Sequence, residues 1–243
     1  MQGVGAKRAL YSYAYTAGAE EIHMPFEDIM LDSGAFSMAT GVEKVHLSGY
    51  SLWLQLYLSK YPQIKTYVNL DDLEDPKKSL ANLRKLEADG LSPMPVYHYG
   101  EDNQILDDYC SKYPYVGLGG FAVGNMPTGN MKKFWEYIAD RYKDNKFHIF
   151  GVGTMKPFYN IQPYSMDSTS WIWAVIKPSI AGYKEGLPDV LHIDRNGTGW
   201  DFLITREEML SMTARAMIDW EKCEWVKNVN GSNSESTEQA RLF

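Results

Sequence analysis

Apolar and polar positions come in alternating blocks along this chain, and the blocks predict strands and helices in turn. Short apolar runs that end in an acid, a histidine or a glycine are typical of buried strands. The predicted strands cover residues 8–15, 28–32, 66–70, 94–99, 115–124, 147–153, 164–168 and 190–193. Longer segments with apolar residues at helical spacing lie between them, and they predict helices over 48–61, 76–90, 102–113, 130–142 and from 205 onward.

This alternation predicts the fold class. Strands that alternate with helices form parallel sheets, because each helix serves as the crossover to the next strand. No linker interrupts the pattern, and 243 residues is the usual size of one eight-fold barrel. We therefore expect a single domain over residues 1–227, either a (β/α)8 barrel or an open doubly wound sheet. The polar segment 228–243 has few apolar residues and is predicted to be a disordered tail.

Chemically distinctive residues stand where the predicted strands end. In a barrel or an open parallel sheet, ligands bind at the carboxyl ends of the strands, so these residues should converge. They are Asp32, Asp71, Asp72, His98, Gly119, Gly120, Gly151, Gly153 and Asp167. Glycine at a strand end either forms a tight turn or lets a flat ligand approach the backbone, and Gly119 and Gly120 are open to both interpretations.

Composition excludes several classes of protein. A formal charge of −7 argues against a general nucleic-acid coat protein, which needs many cationic contacts to phosphate. No apolar run is long enough for a membrane span and no secretory leader precedes the first strand, so we expect a cytoplasmic protein. Cys110 and Cys223 are the only cysteines, which excludes a cysteine-rich zinc module and offers no disulfide framework.

Three strand-end carboxylates around a glycine-rich floor suggest two chemistries. One is the binding of a divalent metal through oxygen ligands. The other uses one aspartate as a nucleophile on a sugar carbon while the remaining acids hold the leaving group. The residue types alone leave both open.

Four short motifs carry a resemblance to a known family. They are Asp-Ser-Gly-Ala-Phe at 32–36, Leu-Gly-Gly-Phe-Ala-Val-Gly at 118–124, His-Ile-Phe-Gly-Val-Gly at 148–153 and Met-Asp-Ser at 166–168. In this order, each at a strand end, they resemble the signatures of the tRNA-guanine transglycosylase superfamily. That resemblance implies a (β/α)8 barrel, no cofactor, and the exchange of guanine in a nucleic acid for a 7-deazaguanine base.

The resemblance also implies roles for individual residues. Asp167 matches the nucleophile that attacks C1′ of the sugar, and Asp32 matches the acid that binds the base edge and manages its proton. Asp71, with Asp72 as the alternative register, matches a base-recognising aspartate. The remaining matches concern base binding: Gly119 and Gly120 match the backbone that binds the base, and His98 falls near a polar base-binding position.

Two departures from the family pattern favour DNA over tRNA as the substrate. The chain has no zinc module, and Ala35 stands where the family has a second glycine. Both features place it nearer the compact relatives of phages and genomic islands that insert 7-deazaguanines into DNA. Phe36 is then expected to sandwich an extruded base, and Arg195 to clamp a phosphate.

Other functions stay open at this point. They are a tRNA-directed transglycosylase, a metal-dependent barrel hydrolase with a cation among the three acids, and a non-catalytic protein that binds bases or nucleic acid. A homodimer or an accessory protein that contacts DNA is compatible with each.

Overall fold

The structure is a computed structural model. It describes residues 5–17, 19, 24–39, 41, 45–121, 126–152, 154–168, 179–184, 187–192, 211–218 and 241–242. Within these ranges, every helix is too short or too polar to cross a bilayer.

Strands and helices follow one another in the described chain as the sequence predicts for an α/β protein. The strands are β1 (Arg8–Ser12), β2 (Asp28–Asp32), β3 (Ile64–Tyr67), β4 (Val96–His98), β5 (Tyr115–Gly119), β6 (Lys146–Ile149), β7 (Ser165–Met166), β8 (Ser179–Lys184), β9 (Leu187–His192) and β10 (Arg241–Leu242). The helices are α1 (Tyr13–Thr16), α2 (Ala35–Ala39), α3 (Leu47–Lys60), α4 (Pro76–Ala88), α5 (Asn103–Lys112), α6 (Thr128–Arg141) and α7 (211–218), with a 3₁₀ turn at Lys156–Phe158.

The chain divides into two compact units. The first, called here the N-terminal unit, comprises Lys7–Gly120 and Asp144–Phe147. The second, the C-terminal unit, comprises Phe121–Lys143 and His148–Leu242 together with the first six residues.

Parallel strands in chain order form the sheet of the N-terminal unit. Strand β2 pairs in parallel with β1 on one side and β3 on the other, and β4 pairs in parallel with β5. A parallel bridge between Val68 and Met94 continues the ladder from the end of β3 to the start of β4. The order 1-2-3-4-5 has no reversal, so every carboxyl end in this unit lies at the same edge of the sheet.

Helix α4 shows how local sequence sets the boundaries of these elements. The Asp75 side chain accepts hydrogen bonds from the backbone N–H groups of Lys77 and Lys78 at 3.0 and 3.2 Å, and Pro76 occupies the first turn. Gly90 follows the helix with φ at +83°, a conformation that a glycine adopts without strain. The helix that the sequence predicts over 76–90 is therefore confirmed, with its last turn at Ala88.

An apolar cluster forms the core of the N-terminal unit. The face of α3 that carries Trp53 and Tyr57 packs inward, whereas Leu52 and Leu56 are exposed. The core residues are Met24, Ile29, Leu31, Tyr50, Trp53, Leu54, Tyr57, Ile64, Leu70, Leu86 and Leu91. Their burial fixes the strands whose ends carry the candidate site.

The C-terminal unit contains a short parallel ladder. His148 and Ile149 of β6 pair with Ser165 and Met166 of β7, and β10 pairs in parallel with β7 on its other side. Helix α6 packs through Trp135, whose ring meets Phe158 edge-on at 6.1 Å between centroids. The segment 228–243 is predicted to be disordered, but its residues 241–242 form β10; residues 228–240 and 243 lie outside the described ranges.

Several elements differ from the sequence predictions, and two of the predicted strands differ for a clear physical reason. The first predicted strand, 8–15, ends at Ser12, because the chain turns there into α1 and Thr16 Oγ1 donates to the Ser12 carbonyl at 2.7 Å. The predicted eighth parallel strand, 190–193, belongs instead to β9, which pairs antiparallel with β8. Only residues 185 and 186 separate β8 from β9, and a parallel connection needs about a dozen residues or more, so a hairpin is the one pairing available.

The described residues therefore show an α/β protein with parallel strands and helices, and they do not show a closed barrel.

Candidate functional site

A buried ion triad lies at the carboxyl edge of the sheet in the N-terminal unit. His98, the last residue of β4, places Nε2 2.8 Å from Asp71 Oδ2 and Nδ1 3.3 Å from Glu101 Oε1. The other Glu101 oxygen accepts the backbone N–H of His98 at 3.1 Å. Asp71 and His98 are each only 6% exposed, so both ring nitrogens meet carboxylates away from bulk water.

The charge of His98 follows from these contacts. Burial alone disfavours the imidazolium, but hydrogen bonds to Asp71 and Glu101 and the charges of both carboxylates outweigh it and raise the pKa of His98 to about 9. His98 is therefore an imidazolium at neutral pH, and the triad carries one net negative charge. Both nitrogens of the His98 ring therefore contact protein carboxylates.

Asp32 and Ser33 bring a second acid to the same edge. The Ser33 hydroxyl is fully buried and lies 3.5 Å from Asp71 Oδ1, while Asp32 Oδ2 accepts the backbone N–H of Gly34 at 2.9 Å. Burial raises the pKa of Tyr50 well above its ordinary value, and the negative charges of Asp32 and Asp71 raise it further. The two aspartates thus create a region of negative potential, which suits the N–H groups of a purine edge.

The Asp-Ser-Gly motif has a steric reason for its glycine. Gly34 has φ at +84°, and a Cβ there would lie 2.4 Å from the Ala14 Cβ and 3.0 Å from Ser12 Oγ. Ala35 begins α2, and it takes an ordinary side chain there, 7% exposed. Phe36 follows on α2 and is 53% exposed, consistent with the rim position that the sequence predicts for it.

Gly119 and Gly120 have packing roles of their own. A Cβ on Gly119 would lie 2.7 Å from His98 Cδ2, so the glycine makes room for the histidine of the triad. Gly120 has φ at +87°, and the Gly119 carbonyl accepts the backbone N–H of Tyr99 at 3.1 Å. The glycines therefore let β4 and β5 approach closely where His98 meets Asp71.

This packing makes Gly119→Ala a test of the triad. We expect it to lower the free energy of unfolding by about 1–3 kcal/mol, the usual cost of overpacking a buried site, because the ring of His98 must move. Gly129→Ala is the matched control, since nothing lies within 4 Å of its would-be Cβ in α6. Urea unfolding measures both. Equal effects would show that Gly119 is not confined by His98.

Asp72 serves the loop that leads into α4. Its Oδ1 accepts the backbone N–H groups of Glu74 and Asp75, both at 3.1 Å, and its Oδ2 accepts from Lys78 Nζ at 2.7 Å. The hydrogen bond from Lys78 lowers the pKa of the Asp72 carboxyl below its ordinary value. Of the two registers that the sequence leaves open, Asp71 is the one joined to His98.

A second cluster lies in the C-terminal unit, where β7 ends. Asp167 Oδ1 accepts the backbone N–H of Gly151 at 2.9 Å and lies 3.3 Å from His148 Nε2. Its side chain is 15% exposed, and Oδ2 has no hydrogen-bond partner among the described residues. Among the described residues, two donors thus hold one oxygen of Asp167 and none holds the other.

His148 and Ser165 complete this cluster, and the sequence does not single them out as site residues. His148 is fully buried, and its Nδ1 lies 2.6 Å from Ser165 Oγ, also fully buried. The available signal was spacing: Ser165 and Asp167 stand two residues apart and therefore share one face of a strand. The partner on the neighbouring strand depends on register, which a single sequence does not give.

The remaining predicted residues are quickly placed. Phe121 is buried against Phe134, with ring centroids 5.8 Å apart, and belongs to the core of the C-terminal unit. Arg195 and Gly153 lie outside the described residues. In the part of the chain that the structure describes, no group of three His, Cys, Asp or Glu side chains has an arrangement able to hold a metal ion.

Comparison with known proteins adds no assignment. The chain matches no protein-family model, and no curated protein matches it either.

Proposed function

We propose that this protein is a base-exchanging transglycosylase that replaces guanine in DNA with a 7-deazaguanine through a covalent aspartyl-glycosyl intermediate. The observation that carries the proposal is the state of Asp167: Oδ1 is held by Gly151 and His148, while Oδ2 has no partner among the described residues. A carboxylate that attacks a sugar carbon needs one oxygen held in position, so that the other oxygen is oriented toward the electrophilic carbon.

The proposed reaction balances without a cofactor. Asp167 Oδ2 forms a bond to C1′ as the C1′–N9 bond breaks, and guanine leaves with the electron pair and takes up a proton. The incoming base gives up its N9 proton and displaces the carboxylate from C1′. One glycosidic bond is broken and another is formed, and the reaction transfers no net charge and no electrons.

The N-terminal unit supplies base recognition in this proposal. Guanine and 7-deazaguanines present N1–H and an exocyclic amine, which donate to carboxylates. Asp71, which contacts the His98 imidazolium, and Asp32 are the acceptors, with Asp32 also managing the proton of the leaving base. The exposed Phe36 is placed to stack on an extruded nucleotide.

The proposed scaffold is a (β/α)8 barrel. Support comes from the unreversed parallel order of β1 to β5, since doubly wound sheets reverse their strand order near the middle. The candidate acids at the carboxyl ends of β2 and β7 follow the rule for such barrels.

The test is an exchange assay with ¹⁵N-labelled guanine, because guanine-for-guanine exchange does not depend on knowing the preferred deazaguanine. Purified protein is incubated with labelled guanine and single-stranded DNA, duplex DNA or tRNA, and the nucleosides are analysed by mass spectrometry. We expect label in deoxyguanosine and not in guanosine.

Each other outcome points to a different function. Label in tRNA alone would move the substrate to RNA. Release of guanine without incorporation, abolished by a chelator, would indicate the metal-dependent hydrolase. Binding of a 7-deazaguanine with no release of guanine from any polymer would indicate a non-catalytic binding protein.

A further inference from the structure

The hydrogen bonds of the C-terminal cluster form a line from Ser165 through His148 to Asp167. His148 and Ser165 are register partners on β6 and β7, so their side chains lie on the same side of the ladder. The ladder continues past β7, because Asp167 N–H donates to the Ile149 carbonyl and Val152 N–H donates to the Asp167 carbonyl, both at 3.2 Å. Asp167 therefore stands on the face that Ser165 occupies, beside the same histidine ring.

When the His148 ring is neutral, the hydrogen bonds that link Ser165, His148 and Asp167 allow one arrangement of protons. An ionised Asp167 only accepts hydrogen bonds, so His148 Nε2 must carry the proton and donate to Oδ1. Nδ1 is then an acceptor, and the Ser165 hydroxyl donates to it across 2.6 Å. The carboxylate of Asp167 thus selects the Nε2–H tautomer, whereas the Ser165 hydroxyl, which can donate or accept, fixes the ring through Nδ1.

Burial locks the ring in place. His148 is fully buried, and Phe150 packs edge-on against it with 4.4 Å between ring centroids and an interplanar angle of 70°. Rotation of the imidazole about its Cβ–Cγ bond would break the contacts of both ring nitrogens, to Ser165 and to Asp167, at once. The Asp167 carboxylate therefore receives two donors from fixed directions, Gly151 N–H and the imidazole.

We propose that His148 is a positioning residue, held in place by its hydrogen bond to Ser165, and that it directs Asp167 Oδ2 at the sugar carbon; this inference rests on the proposed function. The same two donors stay on Oδ1 when it becomes the carbonyl oxygen of the glycosyl ester. They favour the return of negative charge when the incoming base displaces the carboxylate. Both half-reactions depend on the imidazole, although it touches neither base nor sugar.

Kinetics of paired variants test the role. We expect His148→Ala to lower kcat about 10- to 100-fold with KM changed less than about threefold, since misplacement of a reacting group by about 1 Å costs about that much. His148→Gln should recover most of kcat, because its amide can donate to Asp167 and accept from Ser165. His46→Gln, at an exposed position before α3, is the matched control and should leave kcat unchanged.

Ser165→Ala keeps the test decisive if His148→Ala fails to fold. It removes one small hydroxyl, and we expect kcat to fall about 3- to 30-fold because the imidazole loses the contact that fixes its Nδ1 side. A kcat within twofold of the wild type in a folded Ser165→Ala or His148→Ala protein would overturn the inference while leaving the transglycosylase proposal intact.

Nuclear magnetic resonance separates the inference from the function. Long-range ¹H–¹⁵N spectra of the free protein should show the His148 ring, assigned by its absence in His148→Gln, with a proton on Nε2 and with an Nδ1 resonance that shifts in Ser165→Ala, where its hydrogen bond is lost. A proton on Nε2 without base exchange would support the arrangement and refute the reaction. A ring with its proton on Nδ1 alone, or an Nδ1 resonance unaffected by Ser165→Ala, would overturn the inference whatever the activity.

Discussion

Asp167→Asn is expected to lower base exchange at least about 10³-fold while the protein stays folded, because an amide cannot form the glycosyl ester. Asparagine is almost the same size as aspartate and keeps an oxygen that accepts the Gly151 N–H. The loss should therefore fall on chemistry and not on folding. Labelled-guanine exchange and thermal unfolding, measured on the same preparation, check both parts.

Asp140→Asn is the matched control for this variant. It makes the same chemical change in the same unit, but Asp140 lies on the exposed face of α6, 3.0 Å from Lys143 Nζ with a side chain 80% exposed. Surface ion pairs of this kind contribute little to stability. Exchange by Asp140→Asn should therefore match the wild type.

Covalent trapping gives the most direct readout. Wild-type protein incubated with DNA and quenched in denaturant should carry DNA on a peptide containing Asp167, and Asp167→Asn should carry none. If Asp167→Asn exchanges guanine within tenfold of the wild type, the nucleophile is another residue. Trapping on a different peptide would identify it.

The succession of strands and helices in the N-terminal unit could be predicted because the sequence signals within each element point to the same structure. The cap at Asp75, the proline start of α4 and the acid that ends β2 each fix an element from neighbouring residues alone. The hairpin of β8 and β9 was missed although residues 185–186, Glu-Gly, are a hairpin turn signal. A sustained βα pattern favoured one more parallel strand there, and the antiparallel pairing prevailed because the connection is too short for a crossover.

The candidate site could be predicted only in part. Acids and glycines at strand ends stand out in the sequence, so Asp32, Asp71 and Asp167 were found. Glu101 and Ser165 were not, because each matters only through a histidine that it contacts. The sequence leaves Gly119 open to a turn or to the approach of a ligand, and it does not indicate that the missing Cβ makes room for His98. The pairings of Ser165 with His148 and of Gly119 with His98 depend on register between strands, which is a tertiary property, whereas Glu101 reaches His98 from three residues further along the chain.

The free energy of unfolding should decrease as pH rises from about 6.5 to 9, by about 3 kcal/mol in total, because of His98. Its pKa in the folded protein is about 9 and its ordinary value is 6.5. Between these values the folded state holds a proton that the unfolded state has released. The stabilisation is therefore complete below pH 6.5 and is lost as pH passes through 9.

The physical cause is the pair of carboxylates around the ring. Once His98 loses its proton, Asp71 and Glu101 remain close together in a buried place without the cation between them. Removing one partner from a buried ion pair commonly costs about 3–5 kcal/mol. Urea unfolding between pH 6 and 9 measures the slope. Burial raises the pKa of the Cys110 thiol from 9.0 and that of Tyr109 from 10.0, each to about 12, so these groups lower the stability chiefly above pH 9.

The His98→Gln variant distinguishes the titration of His98 from the titration of every other group in the protein. Glutamine still donates one hydrogen bond but carries no charge, so we expect the variant to be less stable than the wild type at pH 6 by about 2–3 kcal/mol and to lose the slope up to pH 9. His46→Gln removes an exposed histidine and should keep both the stability and the slope. A slope that survives in His98→Gln would show that the proton lost on unfolding belongs to another group. Asp71 would then not be held by an imidazolium, and base recognition by that carboxylate would need a different support.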